Sequence, residues 1–277
     1  MSKIQKALEK AKFEQIARDS EIEHEKSKEY HAIEDESLVL SHKDISKMYE
    51  PDLLTQDYKA NSKIIDIGMS DSKIFNAFRD FRTSIFQKIE KVNPIIMVTA
   101  CSVGGGSSFV SINLAAVIAN DETKTSLLID CNLAEPGLSH LPITDKETIG
   151  IRDYLKDKEY AIQDIIYPTG ISRLRVIPAG LLNYAIDEYF TSTRLKALFS
   201  EIKNRYDQRY IIVDAPPIAE NADARILAQI CDYVILVIPH GKVNEDSIVN
   251  ASKIIGTNKL LGVVFNNVPE STEVFWS

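Results

Sequence analysis

The stretch Ile95-Ile96-Met97-Val98-Thr99-Ala100-Cys101-Ser102-Val103-Gly104-Gly105-Gly106-Ser107-Ser108, continued by Phe109-Val110-Ser111-Ile112-Asn113-Leu114, decides the fold. A short apolar run, three consecutive glycines and a segment of helical length follow one another without a break. Glycines between a buried strand and a helix let successive N–H groups converge on an anion, and the helix dipole favours negative charge there. The segment predicts a phosphate cradle, with Gly104, Gly105, Gly106, Ser107 and Ser108 as its candidate anion-binding residues. It departs from the G-x-x-x-x-G-K-[ST] pattern, because Ser107 stands where a lysine follows the last glycine.

Downstream, short apolar runs alternate with helical stretches. Strands are predicted at Ile95–Thr99, Ser126–Asp130, Leu174–Ile177, Tyr210–Asp214, Tyr233–Ile238 and Leu261–Phe265. Most are continuous apolar runs, as strands buried on both faces require. Helices are predicted at about 108–119, 191–205, 222–230 and 245–255. Strand, crossover and strand in repetition imply an α/β fold, a doubly wound, mostly parallel sheet flanked by helices. Ligands bind such sheets at the carboxyl ends of the strands. Two strands end there in carboxylates: Leu127-Leu128-Ile129-Asp130-Cys131-Asn132 and Ile211-Ile212-Val213-Asp214-Ala215-Pro216-Pro217. A carboxylate beside a phosphate loop is where magnesium or its water shell is held. Asp130 and Asp214, together with the Ser108 hydroxyl, are therefore the candidate catalytic and metal-side residues of a P-loop-type domain.

Upstream the chain changes character. Residues 1–60 hold 10 Lys+Arg and 14 Asp+Glu, no glycine and one proline, Pro51. This composition reads as a charged helical or partly disordered extension before a domain at 61–277. Ile4, Leu8, Ala11 and Gln15 recur there at helical spacing, a narrow stripe that suits a surface helix or a docking helix for a partner. A stronger helix is predicted at about 71–90, where Ile74, Phe75, Phe78, Phe81, Ile85, Phe86 and Ile89 build a broad apolar face. Asn76, Arg79 and Arg82 lie three apart on a different face.

Composition excludes several classes. The 277 residues carry 44% apolar and 26% charged residues, 32 Lys+Arg against 40 Asp+Glu, and a net charge of −8. That acidic balance argues against a generic nucleic-acid binder. Cys101, Cys131 and Cys231 form no CxxC pair and read as reduced thiols. Cys101 and Cys131 are expected at adjacent strand ends. The five histidines show no metal-ligand spacing. The longest apolar run, Tyr233–Pro239, is far short of the roughly 18 residues of a spanning helix. The opening MSKIQKALEK lacks a signal peptide's apolar stretch. The expectation is a cytoplasmic protein whose membrane association comes through a partner.

From about residue 70 to 268, the order of motifs resembles the cytosolic tyrosine-kinase domain of bacterial exopolysaccharide and capsule systems, a relative of the MinD/ParA ATPases. In that family a helix before the first strand carries Glu-x-x-Arg-x-x-Arg and packs subunits into a ring. This sequence has Asn76-Ala77-Phe78-Arg79-Asp80-Phe81-Arg82, keeping both arginines and losing the acid. The family's Pro-Gly-Glu-Gly-Lys-Ser/Thr loop corresponds to Val103-Gly104-Gly105-Gly106-Ser107-Ser108, and its Asn-Leu-Ala to Asn113-Leu114-Ala115. Its Asp-x-Asp is Asp130-Cys131-Asn132, one carboxylate having become an amide, and its Asp-x-Pro-Pro is intact at Asp214–Pro217. Further matches are Pro178-Ala179-Gly180, Arg205-Tyr206-Asp207 and Gly262–Asn266, where the resemblance places Asn266 near the nucleotide base.

The resemblance implies ATP or ADP with magnesium as ligands, a membrane-embedded polysaccharide co-polymerase or chain-length determinant protein as partner, homo-oligomers, and a position peripheral to the inner membrane. The departures all weaken catalysis. The family's lysine bridges the terminal phosphates, and a charge-assisted bond is worth roughly 1.5–3 kcal/mol. Its loss predicts nucleotide binding about ten- to a hundredfold weaker. A MinD-type signature lysine, which would sit near Ser102, is also missing. The 11 tyrosines end at Tyr233, so the acceptor cluster that active members carry near their C-terminus has no counterpart in Pro269–Ser277. The reading is a degenerate, weakly or non-catalytic regulatory component. The alternatives are an active kinase or ATPase whose lysine comes from elsewhere (Lys73, Lys88, Lys242, or in trans) and a partition-type relative.

Overall fold

Each apolar run read as a strand is one. In the computed structural model the described residues are 54–55, 63–65, 73–138, 141, 148–181, 190, 192–205 and 208–269. They all lie in the second of two units, Met48–Ser277. The stripe at Ile4–Gln15 lies outside the described residues, as does all of the 1–60 extension except Leu54 and Thr55.

Helix α1 (Lys73–Lys88) leads into β1 (Ile95–Ala100), α2 (Ser107–Ala119) and β2 (Thr125–Asp130). Then come α3 (Ile151–Lys156), a 3₁₀ turn (Ile162–Ile165), β3 (Tyr167–Pro168) and β4 (Leu174–Ile177). The chain continues with α4 (Thr193–Arg205), β5 (Arg209–Asp214), α5 (Ala222–Ile230), β6 (Tyr233–Pro239), α6 (Glu245–Ile255) and β7 (Leu260–Asn266). The strands form one sheet in the order β3-β4-β2-β5-β1-β6-β7. All pairs are parallel except β3 with β4. The doubly wound α/β sheet expected from the sequence is the observed one.

One expectation is corrected by this order. Cys101 and Cys131 follow β1 and β2, which are not neighbours, because β5 lies between them. Both thiols are free and buried, and burial pushes both up from their ordinary range.

Strand alternation divides the core between the two faces. Met97, Leu127, Ile129, Val213 and Leu236 face one way, with Leu198 and Phe199 of α4 and Leu227 of α5. Val98, Leu128, Ile212 and Val237 face the other, with Phe75 and Phe78 of α1 and Leu114 of α2. Helix α2 lies against the sheet with every residue from Val110 to Ala119 buried, which explains why it has no polar face. Phe78 meets Phe109 edge-on at 5.9 Å, fastening α1 to the start of α2. Asn113 secures the same layer from inside: its Oδ1 accepts from the Ile65 amide at 2.7 Å and its Nδ2 donates to the Lys63 carbonyl.

Candidate functional site

The glycine loop sits between β1 and α2 at the carboxyl edge of the sheet. Gly104 (φ +68°) and Gly106 (φ +89°) take left-handed conformations that L side chains rarely adopt. Gly105 is required by space, since a Cβ there would lie 2.6 Å from Ala100 Cβ. The loop closes on itself through Gly105 N–H to Ser102 O (3.1 Å), and the first turn of α2 through Val110 N–H to Gly106 O (3.1 Å). Gly106 precedes α2 with no side-chain cap. The dipole end of a thirteen-residue helix therefore faces the cavity, the arrangement that receives an anion.

The cavity, about 440 Å³, has three walls. They are Ser102–Ser108, then Asn132, Ala134 and Glu135, then Pro216, Pro217, Glu220 and Asn221. All five loop residues singled out in the sequence line it. Among the described residues no lysine or arginine does, and Lys73, Lys88 and Lys242 are all elsewhere. Glu135 and Glu220 add negative charge instead.

Asp130 and Asp214 are direct register neighbours on β2 and β5. Asp130 is spent on local structure. Its Oδ1 accepts from the Asn132 amide (3.1 Å) and its Oδ2 from the Leu138 amide (3.0 Å), which folds the 131–138 segment over the strand ends. Burial, then the neighbouring Asp214 charge, push its carboxyl well above the usual range. Burial also pushes Asp214 up, to about 6, against the favourable influence of Ser108 and Ser111. Ser111 donates to Asp214 Oδ1 at 3.0 Å. Asp214 Oδ2 is buried with no hydrogen-bond partner among the described residues. The Ser108 hydroxyl lies close enough to favour the ionised form of Asp214.

That orphan oxygen tests whether a divalent cation suits the site. A buried carboxylate oxygen beside a hydroxyl is a hard-oxygen pair of the kind magnesium takes. Gly137 is pressed against both groups: a Cβ on it would collide with Ser108 Oγ and come within 2.9 Å of Asp214 Oδ2. Ser108 and Asp214 fit a cation. Asp130, with both oxygens engaged, fits as an organiser of the loop, and Asn132 lines the cavity with a neutral amide. Among the described residues no cluster of three or more His, Cys, Asp or Glu is placed to hold a metal by itself.

Asn266, at the end of β7, reaches the loop from the side. Its Nδ2 donates to Gly105 O at 3.0 Å and lies where a Cβ on Gly106 would be. Asn76, Arg79 and Arg82 are not in the site. On α1, Asn76 and Arg79 are exposed, whereas Arg82 donates from Nη1 to the Val117 carbonyl of α2 at 3.0 Å.

Three residues of the site region were not singled out from the sequence. Ser111 could have been found as the residue one helical turn after Ser107, on the same face of α2. Gly137 carried no signal, since one glycine in a loop is ordinary. Arg152 is almost completely buried and donates to the carbonyls of Leu133 and Leu181, holding the segment after Asp130 in place. A lone arginine in a six-residue helix announces none of this.

A family model described as an AAA domain matches residues 93–259. The tyrosine-protein kinase YwqD of Bacillus subtilis is 31% identical over 205 residues, 72% of this chain and 84% of that protein. The tyrosine-protein kinase CpsD of Streptococcus agalactiae is 32% identical over 213 residues, 74% of this chain and 90% of that one. The kinase domain of the Escherichia coli tyrosine kinase ETK superposes with a TM-score of 0.68 over 83% of this chain and 87% of that domain. At 24% identity it speaks for the fold alone.

Proposed function

The chain belongs to the AAA-domain family and, within it, to the bacterial tyrosine-protein kinases, and from that premise we propose that it is a kinase-like regulator or scaffold of exopolysaccharide or capsule assembly with weak or absent turnover. One observation carries this reading. The phosphate cavity keeps its backbone cradle but is lined by two glutamates and, among the described residues, by no cation. Phosphoryl transfer rests on positioning and on cations that neutralise charge developing in the transition state. A cradle of backbone amides binds anions weakly without them.

The remaining parts of the proposal rest on the resemblance. The partner is a membrane-embedded chain-length determinant or co-polymerase met on the cytosolic side, with residues 1–60 as the docking extension. The chain self-associates through the exposed face of α1 that carries Asn76 and Arg79. No helix among the described residues is long and apolar enough to cross a membrane. Asn266 stands next to the base in this reading, and its amide also braces the loop.

Calorimetric titration with ADP and ATP, with and without magnesium, tests the proposal. Affinity in the high-micromolar to millimolar range, with no transfer of phosphate to the chain or its partner, is the expected result. Tight magnesium-dependent binding with autophosphorylation that Asp214→Ala abolishes would overturn it. An active enzyme is the second reading, favoured by the unsatisfied Asp214 Oδ2 beside Ser108. It requires a lysine in trans, so its activity would appear only in the assembled state.

A further inference from the structure

Beside the phosphate loop lies a second cavity of different chemistry. An apolar groove of about 320 Å³ runs between α1 and the end of β7, walled by Ile74, Phe78, Phe81, Phe109, Phe265 and Val268. Two of its walls are large apolar side chains left open to solvent, Ile74 at 57% and Phe265 at 50% exposure. Scattered exposed apolar residues need no explanation, but two converging on one groove with three further aromatics do. The groove shares Asn266 with the neighbouring site, because Asn266 lines it while holding Gly105.

The chain itself supplies a ligand of matching chemistry at the groove's rim. Val268, a wall residue, is followed by Pro269-Glu270-Ser271-Thr272-Glu273-Val274-Phe275-Trp276. A polar stretch of five residues thus precedes an apolar triplet. Five residues reach up to roughly 17 Å when extended, enough to leave the rim and turn back into a cavity of this size. A buried aromatic side chain removes about 150–250 Å² from water, which favours one conformation of a short tether over many.

We infer that this groove seats the chain's own Val274-Phe275-Trp276 segment, docked within the same molecule. Docking covers Ile74 and Phe265 and packs against the backbone that carries Asn266. The occupied groove thereby braces the Asn266–Gly105 bond, and the phosphate loop responds to whether the segment is in place. The inference does not depend on the chain having or lacking kinase activity.

Trp276 is the only tryptophan in the sequence, so the 277-residue chain reports its own docking. The expected result is a blue-shifted emission poorly quenched by acrylamide and unchanged on dilution. Ile74→Glu, at an exposed position that leaves folding intact, shifts the emission to the red and opens it to quencher, and Phe265→Ser does the same from the opposite wall. Val92→Glu, also exposed but outside the groove, leaves the spectrum as it is. Circular dichroism melts of all three variants confirm that the fold persists. A red, freely quenched emission in the parent chain overturns the inference, as does a buried signal indifferent to Ile74→Glu. Burial that disappears on dilution also overturns it, by assigning the groove to the segment of a second copy.

Discussion

Asn266 Nδ2 donates to Gly105 O at 3.0 Å, joining the end of the seventh strand to the middle of the glycine loop across 161 residues of sequence. The same amide occupies the space that a side chain on Gly106 would need. One hydrogen bond and one steric exclusion therefore set the loop together, from a residue outside it.

Those two effects are separable. Asn266→Ala is expected to lower stability by about 1 kcal/mol, the net worth of one hydrogen bond. Gly106→Ala meets both the positive φ and the Asn266 amide, and is expected to cost about 1–3 kcal/mol. In the double variant the collision is gone but the φ strain stays. Its loss should fall short of the sum, which a denaturant-melt double-mutant cycle measures. Strict additivity would mean that Asn266 and Gly106 do not press on each other.

Ser107→Lys brings to the cavity a positive charge that none of its described lining residues supplies. Ser107 opens α2, where the loop already has its left-handed glycines, so the substitution needs no backbone change. Nucleotide affinity is expected to rise roughly tenfold to a hundredfold, following the worth of one charge-assisted bond. Titration with ADP and magnesium checks it. If affinity stays flat, Asn132 and the two glutamates limit the site more than the missing lysine does.

Asp214 and its register neighbour Asp130 are both raised by burial, and they make stability depend on pH in the same direction. The folded-state pKa of Asp214 is raised to about 6 by burial, so the folded protein holds a proton that the unfolded chain has released. Stability contributed this way is present below the ordinary carboxylate pKa and is lost as pH rises through about 6. Asp214→Asn removes the charge while still accepting from Ser111. It is expected to melt higher than the parent chain at pH 8, with the gap closing toward pH 5. A constant gap across that range would show that Asp214 titrates as an ordinary carboxylate.

Much of this was legible in the sequence because burial on both faces writes itself as uninterrupted apolar runs. Ile95–Thr99, Ser126–Asp130 and Tyr233–Ile238 needed no alternation to be seen as strands, and glycines at 104–106 between strand and helix marked the cradle. What was not legible is what local pattern does not encode. Strand order is a tertiary property, so β5 between β1 and β2, with its separation of Cys101 from Cys131, could not be read from either segment. Tyr167–Pro168 is too short for any periodicity. Asp130 was seen as a metal-side carboxylate because its place on the strand is right. Its commitment to the Asn132 and Leu138 amides depends on how the following loop folds, which rests on buried Arg152.

The two arginines of α1 look equivalent in sequence, three apart on one face, but the structure gives them different work. Arg82 is half-buried, donates to the Val117 carbonyl near the end of α2 and lies 5.8 Å from the Phe86 ring centroid. Arg79 is exposed and lies over Phe75 of its own helix at 5.8 Å. Arg82→Ala leaves a helix-end carbonyl without its donor and is expected to cost about 1–2 kcal/mol in a denaturant melt. Arg79→Ala should stay within about 0.5 kcal/mol, as surface substitutions do. If α1 mediates self-association, it is Arg79→Ala that shifts the sedimentation profile toward monomer while leaving the melt unchanged. A profile altered by Arg82→Ala alone, in step with its stability loss, would locate the interface elsewhere and reduce the arginine pair to packing.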